Sequence, residues 1–120
     1  MSRARLNAHQ CRKVLAHNDF SWAHILLGRT KKHVTGIIDF SDKAITDPAY
    51  DFSYFWDIDE SLLRAVYVHY KEKDPTLLLR SLLRRKRGSI SWLAYQVKSG
   101  NQKSFNRAYR QFKKVMKLKV

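Results

Sequence analysis

The hydrophobic pattern of this chain changes period at Asp47-Pro48, and that switch limits the folds open to it. Before the switch the apolar residues come in short runs. Val14–Ala16 is one and Ile25–Leu27 another, the latter ended by the polar segment Gly28-Arg29-Thr30-Lys31-Lys32. Val34–Phe40 is the strongest strand candidate, rich in β-branched residues. This half predicts a short strand, a loop, and a hairpin of two strands. After the switch the spacing is helical. Leu62, Leu63, Val66, Tyr67 and Tyr70 share a face, and Asp74-Pro75-Thr76 suits the opening of a further helix striped by Leu78, Leu79, Leu82 and Leu83. The same spacing runs on past Gly88 through Ile90, Leu93, Ala94 and Val97 to a stop at Ser99-Gly100-Asn101. A last helix carries Phe105, Ala108, Phe112 and Val115 on one side. Three strands followed by about three helices is an α+β layout, not an alternating βαβ one. Those helices cover little of a hairpin, so the chain reads as the second half of a larger fold.

Charge is partitioned as sharply as periodicity. All ten carboxylates fall between Asp19 and Asp74, whereas residues 75–120 hold thirteen Lys and Arg and no acid, within a net charge of +14. Arg3, Arg5, Arg12 and Lys13 make the N-terminal end basic as well. Clustered carboxylates repel unless a cation offsets them. The longest stretch free of Asp, Glu, Lys and Arg, Gly88–Val97, is about half of a bilayer span, which argues against a membrane partner. No apolar run follows the basic residues of Met1–Lys13, so no secretory leader is expected, and a single cysteine, Cys11, suits a reducing, cytoplasmic setting.

Within the acidic middle, three side chains stand at spacings that suit phosphoryl transfer. His17-Asn18-Asp19 is followed five residues later by His24, and Asp39 ends the best strand. In kinase chemistry one loop Asp engages the acceptor hydroxyl, a side chain five residues on helps to hold a divalent ion, and an Asp before Phe supplies the main metal ligand. Charge spreads over the transferred oxygens, so metal and positioning supply most of the catalysis. A hairpin between residues 24 and 39 would return Asp39 to Asp19 and His24.

The wording of these segments is itself informative. His17-Asn18-Asp19-Phe20-Ser21-Trp22-Ala23-His24-Ile25-Leu26, Gly36-Ile37-Ile38-Asp39-Phe40-Ser41-Asp42 and Asp47-Pro48-Ala49-Tyr50-Asp51-Phe52 resemble, in order and spacing, the C-terminal lobe of aminoglycoside phosphotransferases. Among these antibiotic-resistance kinases of protein-kinase-like fold, the aminoglycoside 2''-phosphotransferases are the most similar. The resemblance implies a single lobe over residues 1–120, with the catalytic loop and metal-binding hairpin in 14–56 and a helical part in 58–120. It implies Asp19 as the catalytic aspartate, and His24 and Asp39 as Mg2+ ligands, His24 standing where most kinases have Asn. It gives His17, Asp42 and Asp51 loop-supporting roles, and matches Asp57, Asp59 and Glu60 to carboxylates that meet a cationic substrate. The implied donor is ATP or GTP, and the implied acceptor a small hydroxyl compound of the aminoglycoside type.

The same resemblance shows what the sequence lacks. Its four glycines, Gly28, Gly36, Gly88 and Gly100, make neither a glycine-rich phosphate-covering loop nor a Walker loop. The chain therefore reads as a truncated lobe, inactive alone and missing an N-terminal lobe or partner chain. Two further readings compete with catalysis. One is a non-catalytic remnant that docks on a partner chain. The other is a basic helical module that binds nucleic acid as a non-specific polyanion, through Arg80, Arg84, Arg85, Lys86, Arg87 and the last helix. Trp22, Trp56 and Trp92 are expected to pack, not to stack on a ligand.

Overall fold

The computed structural model describes residues 11–120; Arg3, Arg5 and most of the Met1–Lys13 segment lie outside the described residues. Four short strands come first: β1 (Val14–Ala16), β2 (Ile25–Leu27), β3 (Val34–Ile37) and β4 (Ala44–Thr46). Four helices follow: α1 (Ala49–Phe55), α2 (Glu60–His69), α3 (Leu77–Ser99) and α4 (Gln102–Lys117). The architecture is α+β, as the change of period predicts, with one strand and one helix more than the sequence reading counted. Both extra elements are too short to show a period. Ala44-Ile45-Thr46 is a strand only because it finds β1, and α1 makes two turns directly after Asp47-Pro48.

The strands form two nested antiparallel ladders. β2 pairs with β3, with Ile25 opposite Ile37 and an irregularity between Leu26 and Leu27. β1 pairs with β4, with Val14 opposite Thr46 and Ala16 opposite Ala44. The outer ladder clamps the ends of residues 17–43 together, so the loop after β1 and the segment after β3 emerge side by side. In the local chain, Ile38 N–H donates to the His24 carbonyl at 2.9 Å and extends the contact past the end of β3.

The core lies among the helices. Ala49, Phe52, Phe55, Trp56, Leu63, Leu77, Leu78 and Leu82 form one buried cluster, with Phe20, Tyr70 and Leu118 packed against its edge. Leu63 and Leu77 are wholly buried, each worth about 2 kcal/mol of transfer free energy. Ser81, also wholly buried, accepts from Trp56 Nε1 at 2.9 Å and donates to the Leu78 carbonyl at 2.7 Å, so its hydroxyl is satisfied in both senses. α3 runs unbroken through Gly88, as its spacing predicts, and ends at Gly100, whose φ of 67° is the left-handed cap that glycine favours. Asn101 caps α4 by accepting from Ser104 N–H.

The partition of charge turns out to be a wiring pattern. Arg80 of α3 grips Asp47 through Nε and Nη2 (3.0 and 3.1 Å) and Asp74 through Nη1 and Nη2 (2.8 and 3.0 Å). Arg84 lies 3.5 Å from Asp47, and Arg85 reaches Asp57 at 2.6 Å. Arg80's hydrogen bonds hold the Asp74 carboxyl down at about 2, and the same partnership raises the guanidinium further above its ordinary value. Burial pushes the Asp47 carboxyl up, but Arg80, the Ala49 N–H and Arg84 outweigh it, so the net shift is downward. Asp47 also accepts from Ala49 N–H at 2.9 Å, which starts α1 directly after β4. The hairpin is less well covered. Leu15, Leu26, Leu27, Val34, Ile37, Ile38, Phe40 and Ile45 are each 41–66% exposed, which matches the expectation that these helices cannot cover it. Trp56 packs as expected, whereas Trp22 and Trp92 are half exposed. Among the described residues no helix is long and apolar enough to cross a membrane.

Arg80→Ala leaves the buried Asp47 with only Arg84 and the Ala49 N–H and is expected to cost about 3 kcal/mol, read as a lower urea midpoint at unchanged slope. The pH dependence follows from Asp74. Its folded pKa, about 2, lies below the ordinary 3.8, so its contribution is complete above the ordinary value and is lost as pH falls towards 2. Acid titration of stability over that window should be steeper in the parent protein than in Asp74→Asn.

Candidate active site

The loop after β1 is held open by one carboxylate. Asp51, in the first turn of α1, accepts the His17 N–H on Oδ2 and the Asn18 N–H on Oδ1, both at 2.8 Å. Asn18 takes a left-handed φ of 66°, a conformation that Asn tolerates better than most residues. Its carbonyl accepts from the Tyr54 hydroxyl at 3.1 Å, and its side-chain amide donates to the Asp42 carbonyl. Asp51 and Tyr54 thus hold the residue before Asp19 by its N–H and its carbonyl. Burial raises the Tyr54 hydroxyl's pKa, and the charges of Asp19, Asp51 and Asp42 add to this.

His17 joins the loop to the hairpin. Its Nδ1 accepts the Asp19 N–H at 3.2 Å, so its other nitrogen carries the proton and donates to the Ile38 carbonyl at 2.8 Å. Both ring nitrogens of His17 are thus hydrogen-bonded, and the residue is buried. His24 is different. Its Nδ1 meets the Asp19 carbonyl at 2.7 Å, and since a carbonyl only accepts, Nδ1 holds the proton. Nε2 then faces Asp39 Oδ2 at 3.5 Å, an electron pair opposite a carboxylate unless a proton or cation lies between them.

Asp19, His24 and Asp39 each present a ligand atom, and these atoms all lie within 4.8 Å of one another. Two carboxylates and an imidazole suit a divalent cation, the carboxylates matching a hard ion and the nitrogen a softer one. Asp39 sits at φ 61°, strained for a non-glycine residue, and is fixed there as its Oδ1 accepts from the Ser41 hydroxyl at 2.6 Å and more loosely from the Ser41 N–H. The Ser41 hydroxyl is also the main reason the Asp39 carboxyl titrates below its ordinary value, with His24 and His17 adding to the effect and burial opposing it. The side chains of Asp19 and Asp39 stay partly open to solvent, so an incoming ligand can reach them.

The remaining candidates lie elsewhere. Asp42 contributes its backbone carbonyl, while its exposed carboxylate makes no hydrogen bond among the described residues. Asp57 is paired with Arg85. Asp59 caps α2 by accepting from the Ser61 and Leu62 N–H groups and the Ser61 hydroxyl, which keep its carboxyl below the ordinary range. Glu60 pairs with Arg64 one turn later at 2.6 Å. The sequence reading passed over Tyr54, Asn18 and Ser41, whose roles depend on backbone positions that no residue pattern reveals. It also missed Arg80, Arg84 and Arg85 as partners of the acidic segment, although the segregated charge was a visible signal.

Residues 2–79 match the family model described as the phosphotransferase enzyme family, APH. The chain belongs to this family. Among solved structures it is similar to the GDP and kanamycin complex of APH(2")-IIia, with 28% identity and a TM-score of 0.75, over 89% of this chain and 37% of that one. The GDP complex of wild-type aminoglycoside 2'-phosphotransferase-IIIa gives 27% identity and a TM-score of 0.73, over 88% and 37%. Macrolide 2'-phosphotransferase type I gives 26% and 0.59, over 83% and 35%. The aminoglycoside-kinase resemblance read from the three motifs therefore holds. This chain spans little more than a third of the length of those structures.

Asp51→Ala leaves two loop N–H groups without acceptors. It is expected to cost about 2–3 kcal/mol and to speed amide exchange at His17 and Asn18. Asp42→Ala, which removes no hydrogen-bonded carboxylate, should stay within about 0.5 kcal/mol of the parent.

Proposed function

We propose that this chain is the acceptor-activating and metal-binding part of a small-molecule phosphotransferase. The observation that carries the reading is the convergence of Asp19, His24 and Asp39 ligand atoms within 4.8 Å, in a chain of the phosphotransferase enzyme family. In the proposed reaction a hydroxyl oxygen of the acceptor attacks the γ-phosphorus of a nucleoside triphosphate. The bond to the β–γ bridging oxygen breaks, a nucleoside diphosphate leaves, and the hydroxyl proton passes to Asp19. Asp19 is suited to this because its N–H is held by His17 and its carbonyl by His24 while its carboxylate remains partly open. Asp39 and His24, with Asp19 beside them, are the residues that would hold Mg2+. When bound, the ion would neutralise charge on the phosphate oxygens. His24 keeps its lone pair outward by donating from Nδ1 to the Asp19 carbonyl.

The GDP complexes among the similar structures support a nucleotide donor here, guanine-based first and ATP second. The kanamycin in one of them supports a hydroxyl-rich small molecule as acceptor. With four scattered glycines and no glycine-rich loop, this chain needs a nucleotide-covering lobe from another segment or chain to turn over. Binding of nucleic acid is the weaker reading, because Arg80, which opens the basic run, is spent inside the fold on Asp47 and Asp74.

Mn2+ serves as the probe of the metal site in the 120-residue chain by calorimetry. Asp39→Asn should weaken Mn2+ binding by about tenfold or more, with unchanged circular dichroism. Equal affinity in parent and variant would overturn the proposed site. With GTP and the chain alone, release of GDP should be undetectable. In a complemented, active enzyme, Asp19→Asn should lower kcat by about a hundredfold or more.

A further inference from the structure

A groove of about 620 Å³ runs between α1 and α3, beside the loop that carries Asp19. Tyr50, Tyr54, Arg84, Arg85, Arg87 and Trp92 dominate its lining. Tyr54 forms the join, since it lines the groove while its hydroxyl donates to the carbonyl of Asn18, the residue before Asp19. A molecule lying in the groove therefore touches the side chain that holds the loop of Asp19 by its backbone.

The charge of this lining is the reverse of what a polycation needs. Three arginines face one acid, Asp57, and that acid accepts from Arg85 Nε at 2.6 Å. The other two carboxylates that the family resemblance offered to a cationic substrate, Asp59 and Glu60, are used as a helix cap and as the partner of Arg64. Arg84 lies 3.7 Å above the centre of the Tyr50 ring, its guanidinium steadied by that face and by Asp47. Arg87 is exposed and pairs with no carboxylate among the described residues. Guanidinium forks match carboxylate and phosphate oxygens, and Trp92, half exposed, offers a flat apolar face. Gly88 leaves room between Arg87 and Trp92. A Cβ there would meet only the end of the Arg85 side chain, at 3.8 Å.

From this we infer that the groove between α1 and α3 is the acceptor site, and that its acceptor is a ring-bearing hydroxyl compound with an acidic group, not a polycationic aminoglycoside. The word acceptor rests on the phosphotransferase reading above. The ligand class rests on the groove alone. Carboxylate and phosphate share the chemistry that the arginines recognise.

The test uses the 120-residue chain without nucleotide, at about 150 mM salt, where diffuse attraction to the basic surface is screened beyond about 8 Å. The calorimetric probes are 6-hydroxy-2-naphthoate, 2-naphthyl phosphate and kanamycin. At least one naphthyl acid is expected to bind about tenfold or more tightly than kanamycin, and the tighter of the two identifies the acidic group. Arg87→Glu and the groove-filling Gly88→Leu should each weaken that acid about tenfold. Gly88→Leu adds no charge and improves helix propensity, so it is expected to fold. Lys103→Glu makes the same charge change on exposed α4 and should alter affinity by no more than about twofold. Kanamycin binding as tightly as the acids would overturn the inference, as would equal losses in Lys103→Glu and Arg87→Glu or no loss in Gly88→Leu. Because no nucleotide is present, a chain that binds the acids this way but never transfers phosphate when complemented contradicts the phosphotransferase reading and leaves the anionic site intact.

Discussion

Two hydrogen bonds accepted by one carboxylate hold the site together. Asp51 accepts the consecutive N–H groups of His17 and Asn18, and only with those groups fixed can Asn18 stay left-handed and turn Asp19 towards the hairpin. From there the order is transmitted by His17, which accepts from Asp19 and donates to Ile38. Neither nitrogen is left over, and the ring cannot flip without breaking both contacts. The strained residues Asn18 and Asp39 lie at the two ends of this chain of bonds, where a rigid surround can hold them.

The helical half supports that loop by an electrostatic route. Arg80 brackets Asp47 and Asp74, so the start of α1, the turn before α3 and the first turns of α3 are fixed around one guanidinium. Asp51 sits one turn into α1, and the position of α1 therefore decides whether its carboxylate meets the loop. A basic C-terminal part and an acidic middle are in this sense one structure, since the arginines of α3 answer the carboxylates that α1 and its flanking turns bring to them. What is left uncompensated on α3 and α4 supplies the remaining positive surface, and Arg87 at the groove is part of it.

Much of this could be read from residues alone, and the failures have physical causes. Helical spacing located α2, α3 and α4 because an apolar stripe over three or more turns is a strong periodic signal. β4 and α1 were missed because three residues and two turns are too short to show a period, and each is stabilised by a partner distant in sequence, β1 for one and α3 for the other. The side chains at 19, 24 and 39 were legible from motif spacing, and the nested ladders explain why: closing β1 on β4 makes positions 17 and 43 neighbours whatever the hairpin does. Asp57, Asp59 and Glu60 look alike as an acidic patch, yet one meets an arginine from a distant helix, one caps its own helix and one pairs within it. Charge and position in sequence carried no information about those partners.

The convergence of loop and hairpin on one cation is tested most directly by mapping one Mn2+ ion on the isotope-labelled chain by paramagnetic broadening of its amide signals. With sub-stoichiometric ion, signals from residues 18–24 and from residues 37–40 should fade together and first if both segments flank the same cation, as proposed. Loss confined to one of these segments, or appearing first around Asp57, Glu60 or Glu72, would contradict a shared metal site between the loop and the hairpin.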